Sequence, residues 1–382
     1  MSLTLLVGIS DMILHFVQDL ATPHNKSLVR ALRARGDLRV VTWYAMRTSG
    51  ELPWKEGLAD SLDNYYYDNW PNRFKLMWRA LFHQDEKFLV VGYANLCTRF
   101  ILGVSWVLNR KVIYWSDRGE DKQRFFFRSG LRRLAFHILR RRGDPVCVVG
   151  RRTLKTFKAW GFSESQLVNL PIFIDVPPLP DRTAAGILAV RQKYGVGSND
   201  VLFVAASRLV YQKGYDLLIE AMGRIERRYL ESCKLLIIGS GPERDKLDTL
   251  VARHCLGEYI QFEPWLEPED YARVLSAADV FVHPARFDAF GGGTLYAMAL
   301  GVPVIGSDGV GSAIERVKSG KNGLIYPRED VQALTNCMVR LLINSDERRT
   351  MGLEARATAE EWPPGRGAQI IKDIVEGKRR YG

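Results

Sequence analysis

Two segments of this chain carry residue types suited to holding a phosphate group. In the first, Asp288-Ala289-Phe290-Gly291-Gly292-Gly293-Thr294, a carboxylate precedes three glycines and a short apolar helical run, which Gly301-Val302-Pro303 closes before the apolar Val304-Ile305. Glycine lets a ligand approach the backbone closely, and a helix starting there offers an anion about half a positive charge. In the second, the apolar run 201–206 leads into Ser207-Arg208-Leu209-Val210-Tyr211-Gln212-Lys213-Gly214 and an amphipathic stretch over 215–221. Arg208 and Lys213 then stand at the carboxyl end of a strand, where open α/β sheets bind their ligands. An arginine fork and a lysine point charge together suit a diphosphate leaving group. Taken singly, each segment reads equally well as a turn with solvated cations.

Further segments follow in order: Leu235-Leu236-Ile237-Ile238-Gly239-Ser240-Gly241-Pro242, Val280-Phe281-Val282-His283-Pro284, Gly301-Val302-Pro303-Val304-Ile305-Gly306-Ser307-Asp308 and Gly320-Lys321-Asn322-Gly323-Leu324-Ile325. With the two phosphate-type segments, they resemble the carboxyl-terminal domain of retaining family 4 (group 1) glycosyltransferases of the GT-B fold. The resemblance covers roughly residues 200 to 330, and the amino-terminal half matches only in general character. It implies an α/β chain with two Rossmann-like domains of mainly parallel sheets facing across a cleft. It also implies transfer of a sugar, with retention, from a UDP- or GDP-linked donor to a saccharide or lipid-linked acceptor in cell-surface glycan or glycolipid synthesis. No other cofactor and no metal are expected.

Carried onto these residues, the family pattern makes Arg208 and Lys213 stabilisers of the departing diphosphate. Gly214, Gly241, Gly291, Gly292, Gly293 and Thr294 join the donor site, and Trp265 neighbours the base or is a packing aromatic. The family places two glutamates eight positions apart across the glycine loop; here the positions hold Asp288 and Tyr296. Asp288 keeps the charge beside the transferred sugar. Tyr296 replaces a ribose-binding carboxylate with one phenolic O–H, or is a core aromatic. Glu315 is a candidate to replace part of the lost contact. Asp117, in Trp115-Ser116-Asp117-Arg118-Gly119-Glu120-Asp121, is the candidate acceptor residue or a helix cap, with Gly8, Ser10 and Asp11 a weaker second site.

These residues must be positioned by alternating strands and helices, which indicate stacked βαβ units. Strands are expected at 3–9, 88–91, 111–115 and 146–149. The prolines of Asp175-Val176-Pro177-Pro178-Leu179-Pro180 exclude regular pairing. The expected division is an acceptor domain at 1–175, a linker at 176–194, a donor domain at 195–361, and a helix at 362–382 that the resemblance returns to the first domain. The length of 382 residues exceeds what one core usually supports. Five scattered cysteines and six histidines suggest neither a disulfide framework nor a zinc site.

A net charge of +11 calls for an anionic partner. Nucleic-acid signatures are missing. The run from Arg124 to Arg142 has no acidic residue, and Phe127, Leu131, Leu134 and Ile138 fall on one helical stripe, with Arg128, Arg132 and Arg133 on other faces. That pattern fits an interfacial helix on anionic lipid, or a domain helix with solvated arginines. The expected location is cytoplasmic, peripheral on the inner face of the cell membrane, near a lipid-linked acceptor; Asp11, Arg118, Arg128, Arg132 and Arg133 are the candidate acceptor or membrane contacts. The rival functions are a catalytically impaired GT-B scaffold or regulator, and a basic protein that binds lipid or nucleic acid.

Overall fold

The computed structural model describes residues 12–20, 22–46, 63–93, 95–116, 130–178 and 185–378. The chain divides into two compact units, Met1–Asp175 with Pro363–Gly382, and Val176–Trp362. The expected strand at 3–9 lies outside the described residues, as do Asp11, Asp117, Arg118 and Arg128.

In the first unit the elements are β1 (Ile13–Leu20), α1 (Pro23–Ala34), β2 (Arg39–Met46), β3 (Asn64–Tyr66), α2 (Trp70–Phe82), β4 (Lys87–Val91), α3 (Leu96–Val107), β5 (Ile113–Ser116), α4 (Gly130–Arg142), β6 (Val146–Val148), α5 (Gly150–Ala159) and β7 (Leu167–Asn169). Among the described residues they form a seven-stranded sheet of order β3-β2-β1-β4-β5-β6-β7, parallel throughout. Three helices start on side-chain caps: Thr22 accepts from the Asn25 N–H, Asn69 from Asn72 and Asn95 from Thr98. Prolines in the first turn of α1 and α2 cost nothing because those N–H groups have no helical partner.

The second unit continues with α6 (Ala185–Lys193), β8 (Val201–Ala206), α7 (Tyr215–Gly223), α8 (Arg227–Leu230), β9 (Cys233–Ile238), α9 (Arg244–Arg253), β10 (Ile260–Glu263), α10 (Pro268–Ala277), β11 (Val280–His283), α11 (Gly292–Ala299), β12 (Val304–Ser307), α12 (Gly311–Arg316), β13 (Gly323–Tyr326), α13 (Val331–Ile343) and α14 (Ser345–Glu360). Its sheet has order β10-β9-β8-β11-β12-β13 and is also parallel. Strands covered on both faces read as continuous apolar runs, and β8 does so. Part of the expected linker is structured: α6 buries Ile187 in this unit's core. The last helix, α15 (Pro364–Val375), belongs to the first unit. There Gly367 lies so close to Phe173 that a side chain would clash, and Lys372 pairs with Asp37.

The residues of the basic helix that meet the core are not the Leu134 stripe. Phe136 and Leu139 of α4 are each 3% exposed in the first unit's core, while Leu134 is 48% exposed. The inward stripe is therefore offset from the one centred on Leu134 and Ile138, because Phe136 packs edge-on against Phe157 and Phe162. Of the last-turn arginines, Arg142 donates to the carbonyls of Ser105 and Arg110, and Arg140 to that of Trp160 at 3.1 Å. The described part of α4 thus packs as a domain helix.

Just beyond α4, Asp144 is buried, and burial pushes its carboxyl up to about 6 against the opposing charges of Arg142 and Lys111. Because the folded state holds this proton more tightly than the unfolded one, stability falls as pH rises from about 4 to about 6 and stays lower above that window. Asp144→Asn keeps the shape and removes the charge. It should raise stability at neutral pH by on the order of 1–3 kcal/mol, with the gap closing in mild acid. Melting curves of both proteins across that range check this, and a gap that does not change with pH would refute it.

Candidate active site

Two loops at the carboxyl ends of β8 and β11 are locked together in the second unit. After β8 the chain makes one 3-10 turn, Tyr211–Lys213, ended by Gly214 at φ 68°. A side chain at Gly214 would run into the Pro284 carbonyl, so the turn can approach the β11 loop only with glycine there. Gly241 has the same role against the Leu209 carbonyl.

From the other loop, Arg286 forms a two-pronged pair with Asp216, at 2.7 Å for each nitrogen. It also donates to the Tyr211 carbonyl at 2.9 Å and lies over the Tyr211 ring, 4.0 Å from its centroid. Glu329 accepts from its Nε. The Phe287 N–H donates to the Gln212 carbonyl, and Asp288 is held on both sides, its N–H to Gly309 and its carbonyl from Gly311.

This scaffold brings Lys213 and Asp288 together, with Nζ 2.5 Å from Oδ2. His283, at the end of β11, reaches the same carboxylate oxygen through Nε2 at 3.0 Å, and its Nδ1 lies 3.0 Å from the Thr294 hydroxyl. With Nε2–H donating to the carboxylate, Nδ1 accepts from Thr294. Burial works to raise the Asp288 pKa, but the charge of Lys213 and the hydrogen bond from His283 hold it well below the usual carboxylate range. Asp288 is thus an anion at any ordinary pH. Lys213 has three N–H donors, so the ion pair leaves donors for a phosphate.

α11 begins beside this cluster. Gly291 is its N-cap at φ 88° and no side chain caps it, so its first-turn N–H groups offer an anion the positive end of the helix. A side chain at Gly291 would collide with the His283 ring. The other two glycines divide differently from the expectation that all three serve a ligand. A Cβ at Gly293 would come 2.7 Å from Phe281, so packing demands that glycine, whereas Gly292 has room for one.

Tyr296, one turn on, is half-buried against this unit's core and meets Tyr271 edge-on at 6.3 Å. Arg208 is exposed after β8, and Trp265, in the loop after β10, is 42% exposed. Glu315 is buried on α12 with its carboxylate 3.9 Å from Arg316. In the first unit, Arg133 is exposed on α4 and Arg132 lies on the same helix.

Sequence reasoning gave no role to His283, Arg286 or Asp216. His283 lies in Val280-Phe281-Val282-His283-Pro284, five residues before the carboxylate, and that spacing after a strand is the available signal. It also missed the sheet reversal of the first unit, between β1 and β4, where open sheets bind ligands. Asn95, the cap of α3, donates there to Asp19 at 2.5 Å and to the Tyr67 hydroxyl at 2.9 Å. These groups gather hydroxyl-binding capacity at strand ends.

Residues 187–358 match the family model described as glycosyl transferases group 1. The chain is similar to the GDP-mannose-dependent alpha-(1-6)-phosphatidylinositol monomannoside mannosyltransferase of Mycolicibacterium smegmatis, 32% identical over 248 residues that cover 62% of this chain and 63% of that protein. It is also similar to the GDP-mannose-dependent monoacylated alpha-(1-6)-phosphatidylinositol monomannoside mannosyltransferase of Corynebacterium glutamicum, 32% identical over 261 residues, 66% of each chain. The chain thus spans just under two thirds of the length of these relatives.

Among solved structures, Anabaena Alr3699/HepE in complex with UDP matches with a TM-score of 0.75 at 18% identity, over 96% of this chain and 100% of that one. A sucrose-phosphate synthase from Thermosynechococcus elongatus matches with 0.70 at 18% identity, over 96% and 99%. Together with the two parallel sheets, these likenesses establish a GT-B fold of two Rossmann-like domains.

Proposed function

Because residues 187–358 belong to the group 1 glycosyl transferases, we propose that this protein is a retaining glycosyltransferase acting on a lipid-linked mannoside or inositol glycolipid, with GDP-mannose as its donor. The observation that carries the reading is the convergence of Lys213, an ionised Asp288 and the uncapped start of α11 at the ends of β8 and β11. The donor and acceptor rest on the mannosyltransferases to which the chain is similar.

The bond between the anomeric carbon and the β-phosphate oxygen breaks, and its electron pair stays on the diphosphate. Lys213, Arg208 and the N–H groups at Gly291 and Gly292 meet that growing charge, usually the largest catalytic term. Asp288 accepts hydrogen bonds from the sugar hydroxyls and sets the ring's orientation. The acceptor hydroxyl forms the new bond on the face the diphosphate leaves, and its proton passes to a phosphate oxygen. Asp19 and Asn95 serve the acceptor hydroxyls.

Melting the protein with GDP, UDP, GDP-mannose and UDP-glucose tests the donor, since a ligand that binds only the folded state must stabilise it. GDP and GDP-mannose should raise the melting temperature most, and radiolabelled mannose should pass to a phosphatidylinositol mannoside. No shift with any nucleotide would overturn the reading, and binding without transfer to any acceptor would make the protein a scaffold. Tyr296→Phe should weaken GDP binding by about 0.5–1.5 kcal/mol if the phenol reaches ribose. An unchanged titration would assign Tyr296 to packing on Tyr271.

A further inference from the structure

Helix α2 is apolar on two faces, and only one of them meets the core. Leu76 and Ala80 are buried, whereas Trp70, Phe74, Trp78 and Phe82 are 72%, 60%, 47% and 58% exposed. At about 100° per residue these four rings, spaced by four, form a stripe on the side of the helix roughly opposite Leu76 and Ala80. The rings support one another, with centroids 5.7 Å apart for Phe74 and Trp78 and 4.1 Å for Trp78 and Phe82. A core helix does not place its largest rings in water, so the stripe is built for a second apolar phase.

The surroundings extend the surface and give it a sign. Arg110 donates to the carbonyls of Ala80 and Leu81, at 2.9 Å each, which seats the turn after α3 against the end of α2. The end of α3 and the residue after it expose Trp106, Val107 and Leu108. The same turn receives Arg142, so the last turn of α4, with exposed Arg140 and Arg141, lies beside it. α2 itself carries Arg73, Lys75 and Arg79 with no carboxylate, and residues 87–116 contain neither Asp nor Glu. Of the two acidic residues between α2 and β4, Glu86 is tied to His15, Arg79 and His83. A protein partner would have to cover bulky rings while meeting mainly cations, since Asp68 and Asp85 are the exposed acids flanking α2 among the described residues. An anionic bilayer offers both an apolar interior and a negative surface.

We propose that the α2 aromatic stripe, with the turn after α3 and the arginines ending α4, docks the protein on anionic lipid. The helix lies in the interface with its rings at headgroup depth, as aromatic residues do at membrane boundaries. Among the described residues no helix is long and apolar enough to cross a membrane, so the contact is a surface one. This inference rests on the surface alone and does not require the proposed donor or acceptor.

Flotation of the full chain with vesicles of equal parts phosphatidylglycerol and phosphatidylcholine tests it, against vesicles of phosphatidylcholine alone. The wild-type protein should float with the anionic vesicles and lose most binding in high salt. Phe74→Ser with Trp78→Ser and Phe82→Ser should weaken that binding by about 100-fold, with melting curves confirming that the variant is folded. Arg140→Gln with Arg141→Gln should weaken it by about tenfold. Brominated acyl chains should quench wild-type fluorescence more than that of Trp78→Phe. Full binding by the triple variant, or a wild-type protein that ignores anionic vesicles at low salt, would overturn the proposal. So would a concentration-dependent dimer that the triple variant abolishes, which would make a second copy the occupant.

Discussion

Lys213→Ala should lower the turnover of sugar transfer by about 10²–10³-fold, the scale for removing one preorganised donor that meets charge in the transition state. Lys213 ends the 3-10 turn between β8 and α7, and Gly214 and the Arg286 clamp fix that turn's distance from the β11 loop. The ammonium is thereby held against Asp288, in the β11 loop that leads into α11. Loss of the side chain also removes the counter-charge of Asp288, whose burial would then raise its pKa with only His283 in opposition.

The variant should remain folded, because Arg286, Asp216 and the backbone links between Phe287 and Gln212 persist. Steady-state turnover should fall far more than affinity for the intact donor, since the charge on the leaving group is largest in the transition state. Unchanged turnover would remove Lys213 from the phosphate site. A fall explained entirely by a lower melting temperature would reduce it to a structural ion pair.

Asp288→Asn should reduce transfer by about 100-fold or more while leaving nucleoside diphosphate binding intact or slightly stronger. The amide keeps the size and can still accept from His283, but it cannot hold Lys213 by charge. It also no longer repels a nearby diphosphate, which favours the free nucleotide. The pH dependence separates this role from proton transfer. The folded pKa of Asp288 lies below the ordinary range, so the carboxylate is ionised from mild acid upward.

Its contribution to stability is accordingly full above the pKa of the unfolded carboxylate and is lost only as pH falls towards the folded value. The ratio of wild-type to Asp288→Asn activity should therefore stay flat between about pH 5 and pH 8. Parallel pH–rate profiles and isothermal titration with GDP measure both quantities. An acid limb present only in the wild type would make Asp288 a proton donor or acceptor, and full activity of the variant would end the carboxylate assignment.

How much of this was legible beforehand depends on the range of the interaction. Lys213, Gly214, Asp288 and the glycine loop obey local rules, in which a buried apolar run, a loop and a helix start follow within about twenty residues, so their placement at strand ends could be read from order alone. The same rules missed β1, whose His15 and Gln18 break the apolar run yet are buried, His15 by pairing with Glu86 just before β4 and Gln18 by the Asn25 amide.

The chain by itself determined the two-domain α/β character and the loops that follow β8 and β11, because backbone preference and hydrophobic period are properties of neighbours in sequence. Only the tertiary structure decided which apolar face of a helix meets a core. Periodicity put the stripe of α4 on Leu134, while packing against Phe157 and Phe162 turned Phe136 inward. In α2 the largest rings are left outside. It alone also paired Arg286 with Asp216 and gave Gly293 to Phe281, and these contacts form only once the strands carrying them lie side by side. Such partners are chosen by shape and burial across tens of residues, and a linear pattern holds no record of that choice.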